Sequence, residues 1–158
     1  MQTQPVDPAP APAPAAVNYR VVDGCVELPD VVTFATGAAA VAAASDTALR
    51  HVVGFLADKA AITTLRIEVH GDGAGDRNEE QVLCEERAAA VFSRLVELGA
   101  DPQRLLAVAF GDEKPVAAAD TPAGRAQNRR VEFRPAAMRG RAIGGMPVDG
   151  GGRVVLPK

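Results

Sequence analysis

The chain has no tryptophan, one tyrosine and five phenylalanines in 158 residues. Stacking platforms for single-stranded nucleic acid are therefore not expected. Charge of either sign is not in excess: 17 Lys and Arg stand against 20 Asp and Glu, a net of −3. Proteins that bind nucleic acid through phosphate carry a clear basic surplus, so no nucleic-acid partner is expected. Two cysteines, Cys25 and Cys84, are too few for a disulfide scaffold, and their spacing matches no zinc site. Nothing in the sequence brings them together, so two free thiols are expected. Long apolar runs are missing too. The longest uncharged stretch, Val31 to Ser45, is mostly alanine and glycine, well short of the ~20 apolar residues of a membrane-spanning helix. No secretory signal is expected in the chain as given.

Composition divides what is there into three parts. Residues 1–17 are a Pro/Ala-rich segment with five prolines among the first fourteen positions, which reads as an extended linker. Residues 137–158 hold six of the fifteen glycines and four basic residues against one acid, a Gly-rich basic tail. Val154, Val155 and Leu156 within it have the composition of a short edge strand. Removing either end is expected to leave stability nearly unchanged. Residues 18–136 remain, the size of one domain with a packed core.

Periodicity within 18–136 alternates between strand and helix. Tyr19–Val22 and Cys25–Leu28 flank Asp23-Gly24, a dipeptide that favours a two-residue hairpin turn. Val31–Phe34 reads as a short strand. Ser45 is placed to cap a helix whose apolar face carries Leu49, Val52, Val53 and Leu56. Leu65, Ile67 and Val69 alternate with Arg66, Glu68 and His70, a half-buried strand. After a loop, a second helix carries Ala88, Val91, Phe92, Leu95 and Leu98, and Gly99 stops it. Leu105–Phe110 and the stretch around Val131 and Phe133 supply two more strands. Helices covering the apolar side of a sheet whose charged side faces water give a two-layer α/β sandwich. We expect a mixed β-sheet with two main helices on one face, in the order βαβαββ.

Two separated motifs are informative. The first runs from His70-Gly71-Asp72-Gly73-Ala74-Gly75 to Leu83-Cys84-Glu85-Glu86-Arg87-Ala88. The second comprises Gly111-Asp112-Glu113-Lys114-Pro115 and Gly124-Arg125-Ala126-Gln127-Asn128-Arg129-Arg130-Val131-Glu132. In order and spacing they resemble the OmpA-like peptidoglycan-binding domain of porin tails, peptidoglycan-associated lipoproteins and flagellar stator proteins, from Val31 to Arg134. The sequence departs from that family's pattern at Val69 (usually Gly), Gly71 (Thr), Glu80 (Asn) and Cys84 (Ser). Gly37 falls where some relatives place a polar side chain.

The resemblance implies a non-catalytic module that anchors an envelope component to the cell wall, in the periplasm or at the outer membrane. Its implied partner is the peptidoglycan stem peptide, with other envelope proteins as further candidates, and no cofactor or metal. Family members hold the diaminopimelate of that peptide, whose free end carries an ammonium and a carboxylate on one carbon. Asp72 and Arg87 match the two family residues for those charges, and Arg87 suits a carboxylate through its two-pronged guanidinium. Gly71, Gly75, Glu80, Asn128 and Arg129 are secondary binding candidates. Glu80 either repels the ligand carboxylate or attracts its ammonium.

Residue chemistry leaves other readings open. Arg87 lies four residues before Val91 and eight before Leu95, on a buried stripe, and its head should emerge near the Asp72 loop. The pair is then either a zwitterion site or a salt bridge bracing the loop. An OmpA-like fold kept as a structural or protein–protein domain, with weakened wall binding, is the alternative function. His70 and Asp72, with Cys84 or Glu80, are weighed as metal ligands, but the strand period places His70 on the solvated face. No set of residues fits nucleophilic catalysis, so an enzyme is not expected.

Overall fold

The computed structural model describes residues 19–34, 39–73, 75–145 and 147–155. The segment 1–17, Gly37 and Leu156 lie outside these. Strands β1 (Arg20–Val22) and β2 (Cys25–Glu27) pair antiparallel as a separate hairpin. Its turn needs two residues with positive φ, which Asp23 (52°) and Gly24 (74°) supply. The main sheet has five strands in the order β6 (Arg141–Ala142), β5 (Arg130–Met138), β3 (Ile62–His70), β4 (Leu105–Gly111) and β7 (Arg153–Val155). Among the described residues only the β3–β4 pair is parallel; β3–β5, β4–β7 and β5–β6 are antiparallel. The sheet is mixed, as the alternation implied.

Helices α1 (Asp46–Asp58) and α2 (Arg77–Glu97) lie against one side of this sheet. Their apolar faces meet its apolar side in a core of Leu49, Val52, Phe55, Val91 and Leu95 with Leu65, Ile67 and Phe133. The charged ends of the two helices are joined by Arg94, whose guanidinium binds both Asp46 oxygens. At the N-terminus of α2, Asp76 accepts from the amides of Asn78 and Glu79 at 2.9 and 3.0 Å. At its C-terminus the amides of Gly99 and Ala100 return to Val96 and Leu95, a Schellman closure that uses Gly99 at φ 112°. A short α3 (Pro122–Asn128) precedes β5.

Four expectations are corrected. Val31–Phe34 is not a strand: Phe34 makes one isolated bridge to Val41, because the Thr33 amide is taken by Ser45 Oγ and its carbonyl by the Ala42 amide. For the same reason Ser45 does not cap α1 with its side chain; its backbone is already helical and its hydroxyl serves Thr33. The tail expected from residue 137 begins inside β5, where Ala137 is buried, and its far end returns to the sheet as β7. The charged side of the sheet does not simply face water. Residues 147–152 run across it, with Val148 and Gly150 carbonyls accepting from Arg66 and Lys114. A Cβ on Gly152 would lie 2.4 Å from Val108, so this segment is pressed onto the strand.

Candidate functional site

Strand β3 ends at His70, where the register with β4 shifts, and the loop from Gly71 to Asp76 leads into α2. Beside this junction opens a cleft of about 470 Å³. Its floor is formed by Gly71, Cys84 and Val69, one wall by α2 with Glu80 and Arg87, another by Val32 and Phe34, and a third by Arg129 and Arg130. A strand end, a helix N-terminal half and a strand start thus bring together residues far apart in sequence. Asp72, Arg87, Gly71, Gly75, Glu80 and Arg129, all proposed from the sequence, share this one cleft. Asn128 does not line it. Buried at the end of α3, it accepts from the Val116 and Ala117 amides and donates to the Ala117 carbonyl, so its side chain braces the preceding loop.

Arg87 is 8% exposed, on the helix face shared with Val91 and Leu95, and its guanidinium sits 4.7 Å over the Phe34 ring centroid. Burial lowers its pKa from the usual arginine value and the like charge of Arg129 adds to this, while Asp72 opposes it. Asp72 Oδ2 lies 3.8 Å from Arg129 Nε. One carboxylate and two guanidiniums therefore converge at the mouth, with Arg87 seated more deeply than Arg129. Phe34 and Arg130 were not foreseen. Phe34 sits in a short apolar run whose spacing says only "core", and no feature of the sequence marks it as a lid over a cation.

The remaining titratable groups are acids and a thiol. Glu80 Oε1 accepts from the Gly73 amide at 2.7 Å, and Oε2 is buried with no donor. Burial pushes the Glu80 carboxyl above the usual range; the Gly73 amide opposes this, and Asp72 and Asp112 reinforce it. Burial, and then Glu80, push the Cys84 thiol up to about 11. It is neither a nucleophile nor a ready metal ligand at neutral pH.

His70 is buried, not solvated. Its ring stacks on Phe110 with centroids 5.0 Å apart, and its Nε2 meets Glu68 Oε1 at 3.1 Å, away from Asp72. Among the described residues, the group with metal-ligand geometry is Glu68, His70 and Glu132. Arg66 binds Glu68, and Arg130 and Arg134 bind Glu132. Three guanidiniums around two carboxylates already outnumber the negative charges there, so this donor set suits an ion-pair network better than a cation. Arg130 pairs along its own strand with Glu132.

Comparison with known proteins agrees with this fold. The model of the OmpA family matches residues 33–129. A peptidoglycan-associated lipoprotein of Pseudomonas putida is 43% identical over 68 residues, 43% of this chain and 41% of that protein. The photosystem I P700 chlorophyll a apoprotein A2 of Gloeobacter violaceus is 37% identical over 112 residues, 67% of this chain and 13% of that protein. The chain thus spans less than half the length of these curated relatives. The crystal structure of the peptidoglycan-associated lipoprotein from Burkholderia pseudomallei superimposes with a TM-score of 0.59 at 29% identity, covering 65% of this chain and 86% of that one.

Proposed function

We propose that this chain, which belongs to the OmpA family, is a non-catalytic peptidoglycan-binding module that anchors an envelope component to the cell wall. The observation that carries this reading is the convergence of Asp72, Arg87 and Arg129 in one cleft. A stem-peptide diaminopimelate presents an ammonium and a carboxylate on a single carbon. In this reading Asp72 receives the ammonium and Arg87 the carboxylate, with Arg129 assisting at the mouth. The stacking of Arg87 on Phe34 fixes the plane of the guanidinium, so two parallel N–H groups can meet both carboxylate oxygens. The lipoprotein relatives named for peptidoglycan association support the same ligand. A periplasmic or outer-membrane-associated location follows from it.

Sedimentation with purified sacculi tests the proposal. Removing either charge leaves its ligand counterpart partly desolvated and unpaired, a cost of about 2–4 kcal/mol. Asp72→Ala and Arg87→Ala should each abolish co-sedimentation while circular dichroism remains that of the folded protein. Arg87→Lys should restore it only partly, since an ammonium lacks the fork. Wild-type sedimentation by both alanine variants would mean that the pair only braces the loop. Failure of the unaltered protein to sediment would favour a structural or protein–protein role.

A further inference from the structure

Glu80 approaches Gly71 closely. A Cβ on Gly71 would lie 2.2 Å from Glu80 Oε1, so no side chain at 71 is compatible with this placement of the carboxyl. The two positions act as a pair: the missing side chain at 71 makes the space, and the long acid from α2 fills it. Both depart from the pattern the sequence otherwise resembles. The result is a carboxyl group lining the cleft, fixed through Oε1 to the Gly73 amide, with Oε2 buried and without a donor. Asp72 lies between Gly71 and Gly73, both of which meet Glu80, and lines the same cleft.

A buried Glu80 carboxyl group beside an acidic neighbour does not ionise cheaply in the empty cleft, and a proton on it relieves the repulsion. A ligand ammonium offers the same service with more donors. It has three N–H groups, carries the opposite charge, and reaches two acceptors at once. We propose that Glu80 and Asp72 form a two-carboxylate clamp for the ligand ammonium, so that binding expels a proton from Glu80. This rests on the peptidoglycan reading above and assigns Glu80 as a specificity-determining residue that favours cationic stem-peptide ends.

The surrounding charges fit that exchange. From α2, the Cys84 thiol stays neutral and Arg87 points its charge to the Phe34 side. From the loop after β4, Asp112 adds negative charge that favours the proton or an ammonium in its place. Arg129, from the turn between α3 and β5, pairs with Asp72. On β3, His70 turns its Nε2 to Glu68. At the rim, the Asp76 carboxylate is occupied capping α2. Burial and its acidic neighbours raise the Glu80 pKa, so the empty cleft holds the proton to higher pH than an ordinary carboxyl group does. Affinity should then climb as pH rises and level off once Glu80 is ionised without ligand.

Isothermal titration of the full chain with a soluble stem tripeptide ending in meso-diaminopimelate reads this directly. It is run between pH 5 and 7.5, in two buffers of different ionisation enthalpy. The wild type should gain affinity as pH rises and release up to one proton, the linkage limit being tenfold per pH unit for a single proton. Glu80→Gln keeps an acceptor for the Gly73 amide but cannot ionise; it should bind with affinity flat to within about twofold and release no proton. Acetylating the terminal amine of the tripeptide should remove wild-type binding. Equal pH slopes and equal proton release in wild type and Glu80→Gln would overturn the clamp while leaving peptidoglycan binding intact. No binding by the wild type at any pH would overturn the peptidoglycan reading itself, and the clamp with it.

Discussion

Glu68→Gln should erase a defined part of the protein's acid sensitivity. The Glu68 carboxylate is 2% exposed, yet it accepts from Arg66 and from His70 Nε2 and lies 3.7 Å from Arg134. Burial alone would raise its pKa; the hydrogen bonds from His70 and Arg66 overcome this and bring it down to about 2 from 4.5. A folded-state pKa below the unfolded one means that the folded form releases its proton more readily. The associated stability is complete above about pH 4.5 and is lost as pH falls toward about 2. That interval, at about 1.4 kcal/mol per pH unit, corresponds to about 3 kcal/mol.

Urea unfolding followed by circular dichroism, from pH 7 down to pH 2.5, measures the difference between wild type and Glu68→Gln. At pH 7 the variant should be weaker by about 3 kcal/mol or more, because Arg66 and His70 then face a neutral amide in a buried place. As pH falls below about 4.5 the wild type loses its advantage and the gap should close. Asp46, held below the usual carboxylate range mainly by its hydrogen bonds with Arg94, titrates in both proteins and cancels from the difference. A gap that stays constant from pH 7 to 2.5 would refute the reasoning, since it would mean that Glu68 has the same proton affinity folded and unfolded.

Two other outcomes are open to direct measurement. Truncation after Met138 removes β6, β7 and the segment lying on Val108 and Phe110; calorimetry should show the melting temperature falling by at least about 5 °C, and an unchanged value would mean that this docking carries no stability. Alkylation at pH 7.5 without reductant, read by intact mass, should modify half-buried Cys25 well before buried Cys84, whose thiolate fraction is below about one in a thousand given a pKa of about 11; equal rates would contradict the burial of Cys84.

Elements whose cause is local were legible in the sequence. Asp23-Gly24 dictates its turn because both residues tolerate positive φ, and Gly99 ends α2 for the same reason. The spacing of Arg87 from Val91 and Leu95 placed the residue on the buried stripe of its helix, where the structure puts it. Ser45 was misread because a hydroxyl before a helix serves either its own helix or a neighbouring strand. The choice depended on Thr33, twelve residues earlier. The tail was misread for a related reason: glycines that look like slack in a sequence are, at Gly152, the residues thin enough to lie on a sheet.

The charged face of the sheet shows the limit of periodicity most clearly. Alternation identifies which residues share a face but not whether that face meets water or itself. Register decides this, and it sets Arg66 opposite Arg134 and Glu68 opposite Glu132. Like charges directly opposed on adjacent strands are unfavourable, so this register is tolerable only if each charge finds an opposite partner elsewhere. It does: Arg66 and Arg134 reach Glu68, and Arg134 and Arg130 reach Glu132. His70 lies between the two acids, 3.1 and 3.6 Å from their oxygens. Once paired in this way, the face can be covered by Phe110 and the 147–152 segment without stranding a charge. The cleft follows the opposite rule, leaving Glu80 Oε2 buried without a donor. One face of β3 thus ends in a network in which each acid meets a guanidinium, and the loop beyond it in a cleft that leaves a buried carboxyl oxygen without a donor.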